Sequence, residues 1–271
     1  MSLTLDTKEQ RYTTALSAAQ GIIPESLELF DAWYPGEARP DFVNRALSEG
    51  MLASATQRRA ENILKEGFAA RFLSEPAFQS APALKRLVDG SAPRGILHPI
   101  FLIFAIRQHL ILREFLTEIY WPRFRAGNDS VNKRDALELI ERGEAIGRFK
   151  KSWSPTVKNR VGAYVLGIAH DFGLLSEVCG AGGQRRIELF RANLSTALFL
   201  AYDLHFQGVG TEAIISHPDW EPLGLSPADV RDELSRLSQR GHLLFQDSGD
   251  IASIQWKYSN LEAVADAILA E

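Results

Sequence analysis

The segment from Pro99 to Tyr120 restricts this chain more than any other. At 100° per residue, Phe101, Leu102, Ile103, Phe104, Ile106, Leu110, Ile111, Leu112, Phe115, Leu116 and Ile119 cover most of a helix's circumference, leaving Arg107, Glu114 and Glu118 within an arc of about 40°. A helix apolar on nearly every side must be wrapped by others, so the spacing predicts the central rod of a bundle. The uncharged run that feeds it, Gly95 to Ile106 with Pro99 in a turn, has 12 residues, against the roughly 20 of a membrane span. No membrane partner is expected.

Most other segments also read at helical period, which predicts a mainly α protein. Clusters of Gly, Pro, Ser or Asn at Ser74–Pro82, Asp89–Gly95, Arg125–Ser130 and Cys179–Gln184 predict breaks. They suggest three domains: 1–92, 93–183 and 184–271. The last follows a winged-helix order. Ser226 caps a helix opened by Pro227, with Asp229 at its third position and Gly241 at its end. Val230, Leu234 and Leu237 supply its apolar stripe. Strands over Leu243–Asp247 and Ile251–Ser259 then flank Ser248-Gly249-Asp250, and a closing helix runs from Leu261 to Leu269.

The net charge of −4 conceals an asymmetry: residues 94–160 carry 13 basic and 7 acidic side chains, residues 203–271 only 4 basic and 12 acidic. A basic middle fits a polyanion, and the acidic end fits a different partner.

Catalytic patterns are sparse. Gly180, Gly182 and Gly183 precede Arg185 where a dinucleotide fingerprint needs glycine, and no Gly-Lys-Ser/Thr follows them. The six histidines contain no i, i+4 pair, so no metal site is expected. His170-Asp171 reads as a helix end rather than an acid/base pair. The lone Cys179 excludes an intrachain disulfide and a Cys-based zinc site, and points to a reducing compartment. The charged N-terminus lacks a signal peptide's apolar stretch. A cytoplasmic protein with no cofactor, no metal and no small-molecule substrate is the expectation.

Two helix-turn-helix candidates carry more information. In Asp41–Phe72 a helix ends at Gly50, a turn covers Gly50–Ala53, and Ser54 with Gln57 forms a capping box. The second helix then turns Arg58, Arg59, Asn62 and Lys65 outward and Ala60, Ile63, Leu64 and Phe68 inward. In Phe149–Leu175, Ser154 and Pro155 open a helix whose buried stripe is Val157, Val161, Tyr164, Val165 and Ile168. Lys150, Lys151, Lys158, Asn159 and Arg160 gather at and before its N-terminus, where cations oppose the helix dipole at about 0.3–1 kcal/mol each. Stability alone would not select them there. A DNA-reading helix would. Trp153 packs beneath the helix or stacks on a ligand.

Several stretches together resemble one known family. They are Tyr12-Thr13-Thr14-Ala15-Leu16, Ile23–Tyr34, Asp41–Phe72, LVDG at Leu87–Gly90, Arg107–Arg125 with Tyr120-Trp121, and Trp153–Leu175 ending in FGLL. Over roughly Tyr12–Val178 their order and spacing resemble BrxA, a core protein of BREX bacteriophage-exclusion systems. The resemblance implies an all-helical, double-stranded-DNA-binding protein with two helix-turn-helix elements, without catalytic activity, acting beside a methyltransferase and ATPases in phage defence. The acidic unit after Gly183 departs from shorter family members.

The expected function is therefore non-catalytic duplex-DNA binding, through Lys150, Lys151, Lys158, Asn159 and Arg160 first and Arg58, Arg59 and Lys65 second. The alternative is a scaffold that joins defence proteins without touching DNA. The acidic C-terminal domain is expected to repel phosphates and to dock another BREX protein or a second copy, with Trp220, Trp256 or Tyr258 as anchors, unless those aromatics are core.

Overall fold

A computed structural model describes residues 11–17, 20–52, 55–248 and 251–271. The chain opens with α1 (Ile23–Ala32), α2 (Arg39–Ser48), α3 (Gln57–Asn62) and α4 (Ala69–Phe72), the last two joined by a π-helical stretch, Ile63–Phe68. Next come α5 (Ala81–Asp89), α6 (Arg94–Gln108), α7 (Leu110–Phe115) and α8 (Trp121–Arg125), with a second π-helical stretch, Leu116–Tyr120, before α8. A short β1 (Ser130–Val131) leads into α9 (Lys133–Ala145) and α10 (Pro155–Asp171), then β2 (Leu175–Gly180) and β3 (Gln184–Ile187). The remainder is α11 (Leu194–Phe206), α12 (Thr211–Ile215), α13 (Pro227–Gln239), β4 (Leu243–Asp247), β5 (Ala252–Trp256) and α14 (Leu261–Leu269). The protein is mainly α.

Packing divides these elements into two units: one holds the chain up to Gly21 together with Ala105–Leu189, the other holds Ile22–Phe104 and Phe190–Glu271. The three-part division expected from the breaks follows chain order, whereas the packing does not. Residues on either side of the first unit's main segment share one core. The Cys179–Gln184 stretch, read as a domain break, is the turn of the β2–β3 hairpin, where Gly182 and Gly183 adopt φ of 67° and 73°. Glycine supplies such angles without steric cost, so the same residues suit a linker or a tight turn.

In the unit of 22–104 and 190–271 the innermost element is α11, in which every residue from Ser195 to Leu204 is buried. Phe199 meets Phe104 with ring centroids 6.3 Å apart, and Tyr202 hydrogen-bonds the His242 carbonyl at 2.7 Å. α14 covers α5, and Arg86 and Asp266 form an ion pair across that seam. A Cβ on Gly90 would lie 2.4 Å from Leu269, so glycine is what lets the last helix approach. Asn193 joins both parts of the unit. Its Oδ1 caps α11 by accepting from the Thr196 N–H at 2.8 Å, and its Nδ2 donates to the Gly95 carbonyl at 2.8 Å. Pro99, inside α6, has no N–H to offer that carbonyl four residues back, so the carboxamide satisfies an acceptor that the proline orphans.

The Ser226 cap with its Asp229 capping box, the Leu243–Asp247 strand and the Leu261–Leu269 helix form where the sequence places them. The second strand is shorter than expected, and Gly249 and Asp250 of its turn lie outside the described residues. Trp220 is buried and its Nε1 donates to the Ile214 carbonyl at 2.7 Å. Trp256 stacks on His205 at 4.2 Å, and the Tyr258 hydroxyl lies 2.9 Å from His242 Nδ1. All three aromatics are held by this unit's own residues.

The rod expected over Pro99–Tyr120 is interrupted. His109 is extended, with φ −125° and ψ 93°, and α7 begins after it. No Gly or Pro marks that spot, and a pattern apolar on all sides gives no preferred face from which to read a bend. Among the described residues no single helix is long and apolar enough to cross a membrane.

The other unit is built on α7, α9 and α10, which pack against one another. Its sheet has the order β1-β3-β2, antiparallel throughout, with α9 and α10 lying between β1 and β2 in the chain.

Two outcomes follow for the Asn193 unit. Asn193→Ala should lower its stability by about 1–2 kcal/mol, as a lost cap and an unsatisfied carbonyl would, whereas Asn193→Asp, which keeps the cap, should lower it less; thermal unfolding distinguishes them. A chain ending at Leu189 should lose the cooperative unfolding of this unit while retaining that of the α7–α10 unit, measurable by calorimetry and by amide exchange.

Candidate nucleic-acid interface

The basic segment before α10 is held from both sides. Residues 146–154 connect α9 to α10, and within them Phe149 packs edge-on against Trp153 at 4.5 Å and against Tyr12 at 5.5 Å. Trp153 is thus engaged by the loop itself, in keeping with its packing role. Tyr12 donates its backbone N–H to the Arg148 carbonyl at 2.8 Å and its hydroxyl to Glu114, which also pairs with Arg148 at 2.9 Å. Burial, and then the Glu114 hydrogen bond, push the Tyr12 hydroxyl far above its usual range, so it stays a neutral donor. A Cβ on Gly143 would lie 2.3 Å from the Tyr12 ring, so this glycine makes the ring's seat in α9. With Phe149 and Trp153 turned into this contact, Lys150 and Lys151 between them are exposed.

Ser154 caps α10 by accepting from the Val157 N–H at 3.4 Å, with Pro155 in the first turn. Val161, Val165 and Ile168 are fully buried, Val157 and Tyr164 partly so. On the polar side the cations differ. Lys150, Lys151 and Arg160 are exposed and make no ion pair or hydrogen bond among the described residues. Lys158 is only 18% exposed and pairs with Glu144 of α9. That lysine, followed by the Ser152 hydroxyl, holds the Glu144 carboxyl below the usual carboxylate range. Asn159 turns back, its Nδ2 donating to the Pro155 carbonyl at 2.9 Å.

The other expected set lies in the other unit. Ser54, expected as the helix cap, lies outside the described residues. Thr56 caps α3, accepting from the Arg59 N–H at 3.4 Å. The connections between α2 and α3 (49–56) and between α9 and α10 (146–154) are longer than the three or four residues of a compact helix-turn-helix. Arg58 is exposed without an ion pair among the described residues, Arg59 reaches Glu25 at 3.9 Å, and Lys65 pairs with Glu61 one turn back.

Arg186 on β3 escaped the sequence reading. It is exposed, pairs in register with Ser130, and has no ion pair among the described residues. Its signal was two arginines after a glycine-rich turn, legible only once that turn is a hairpin.

His170 and Asp171 do not form a dyad. His170 Nδ1 lies 2.9 Å from the Leu175 carbonyl oxygen and Nε2 lies 3.2 Å from Glu177, while Asp171 accepts the Gly21 N–H at 2.9 Å. Cys179 is exposed, its Sγ 3.5 Å from the Gln184 carbonyl oxygen. A cleft of about 460 Å³ beside α9 is lined by Glu118, Arg123, Asp135, Glu138 and Arg142, whose charges are paired as Arg123–Asp135, Arg142–Glu118 and Arg134–Glu138. Among the described residues no group of three His, Cys, Asp or Glu side chains could hold a metal ion.

Residues 10–200 match the BrxA family model. The chain belongs to the BrxA family. It is therefore a component of a BREX phage-defence system. The match covers α1 to α10, the three-stranded sheet and the first half of α11, and leaves α12 to α14 outside. No curated protein and no solved structure matches the chain significantly.

Proposed function

We propose that this BrxA-family chain is a non-catalytic, double-stranded-DNA-binding component of its BREX system, with Lys150, Lys151 and Arg160 as the principal contacts. The observation that carries this reading is their state: three cations, exposed and unneutralised among the described residues, on a loop fixed by Tyr12, Phe149 and Trp153 and on the first turns of α10. The unit that bears them has 16 Lys and Arg against 12 Asp and Glu, a net +4, whereas the other has 14 against 22, a net −8. Phosphates are drawn to the first and repelled by the second within a Debye length of about 8–10 Å. The separation of His170 from Asp171, and the mutual pairing of charges in the 460 Å³ cleft, support a role without chemistry of its own.

One observation favours the alternative, a scaffold that joins BREX components without touching DNA: the −8 unit presents an acidic surface suited to a basic protein partner. The helix, hairpin, helix order of α13 to α14 fits a winged helix adapted to packing, because its aromatics are engaged internally.

A binding isotherm on duplex DNA at several salt concentrations tests the proposal. Each neutralised phosphate contributes about −0.9 to the slope of log K against log salt. Lys150→Glu, Lys151→Glu and Arg160→Glu together should weaken binding at least tenfold and flatten that slope by two to three units at an unchanged melting temperature. A wild-type slope near zero, or triple-variant affinity equal to wild type, would overturn it. Glu144→Gln should do the opposite. It releases Lys158 from its carboxylate, so DNA affinity should rise two- to fivefold with a steeper slope, read in the same assay.

A further inference from the structure

The path through α7, α8, β1, α9, α10, β2 and β3, with strand order β1-β3-β2, is that of a winged-helix domain. In this path two helices stand between the first and second strands, and the hairpin after them projects beside the second helix. The hairpin here is firmly rooted and open at its tip. At the root Leu175 and Val131 are buried, Glu188 N–H donates to the Leu174 carbonyl at 2.9 Å, and Ile187 N–H donates to the Asp129 carbonyl at 2.7 Å. Burial then falls away along β2, so that Glu177 to Gly180 are exposed.

Two arginines after the tip divide the work. Arg185 is bound to the strand beside it, Nη1 donating to the Ser176 carbonyl at 2.8 Å, and stiffens the hairpin. Arg186 has its backbone N–H fixed by Ser176 Oγ at 2.9 Å while its guanidinium is exposed and unpaired among the described residues. The Arg186–Ser130 register continues through a Gln184–Ser130 side-chain bond of 2.9 Å, which ties β3 to the strand that enters α9. Lys133, the first residue of α9, is half-buried and also makes no ion pair among the described residues. Ala181, Gly182 and Gly183 at the tip carry no bulk that would hold a backbone away from a groove wall.

We propose that the β2–β3 hairpin is a wing that grips the duplex beside α10, with Arg186 binding a backbone phosphate and the Gly180–Gly183 tip lying against the sugar-phosphate chain. This rests on the DNA-binding reading of α10 and extends the footprint to a second element. The wing contacts backbone only, since its one free cation among the described residues is a single guanidinium on a strand, and it therefore adds affinity and orientation without base selection.

Arg186→Glu and Arg186→Gln in the full-length protein test it by duplex binding at several salt concentrations, alongside the Lys150/Lys151/Arg160 triple variant. The expected result is a five- to twentyfold loss for Arg186→Glu, a smaller loss for Arg186→Gln, and a salt slope reduced by about one unit in both, equal across DNA sequences. Arg186→Gln keeps the test decisive if the reversed charge disturbs the hairpin, because a neutral amide leaves the Ser176 hydrogen bond to the backbone in place. If the triple variant weakens binding while Arg186→Gln binds with wild-type affinity and slope, the wing is wrong and the α10 reading stands. If wild type does not bind DNA, both fall.

Discussion

Burial of α11 on all sides from Ser195 to Leu204 is the constraint on which the larger unit depends. A helix with no solvent-facing stripe cannot be stabilised by one neighbour, and here α12, α13 and α14 pack on it from one flank of the chain while Phe104 and Ser80 reach it from the other. The seams then need local solutions. Gly90 admits Leu269, Asn193 completes the carbonyl that Pro99 orphans, and Ser80 pairs with Asp203 inside the packed interface. These polar contacts matter because an unsatisfied buried group costs about 1–3 kcal/mol, comparable with what burying a leucine contributes.

In the smaller unit the decisive quantity is which cations are already neutralised. An ion pair at the surface typically adds under about 1 kcal/mol to stability, and any ion pair, exposed or half-buried, commits a cation that would otherwise be open to an anion. Lys158, Arg123, Arg134, Arg142 and Arg148 are committed in this way. Lys150, Lys151, Arg160 and Arg186 have no such pair among the described residues. A ranking by sequence charge would have weighted all of them equally.

Local chemistry was largely legible in the sequence. The Ser154 and Ser226 caps, the α10 stripe, the outward Arg58 and inward Phe68, and the ends of β4 and α14 all follow from side chains within a few residues of one another. What escaped depends on distance along the chain. The association of residues 22–104 with 190–271 rests on α5 meeting α14 and Phe104 meeting Phe199, pairs with no shared periodicity. Glycine in Cys179–Gln184 meant a turn rather than a linker, because only pairing with Ser130–Val131 distinguishes the two. Lys158 looked available until α9 placed Glu144 beside it.

The chain order of the two units has a consequence for synthesis. The two units alternate along the chain, so the α7–α10 unit has all its segments once residue 189 has emerged, whereas α5 must await α14. During translation the apolar side chains of Leu84 and Leu87 on α5 therefore wait for α14, and Phe104 waits for Phe199 of α11. The α7–α10 unit can therefore assemble before the acidic unit, which closes on residues made earlier.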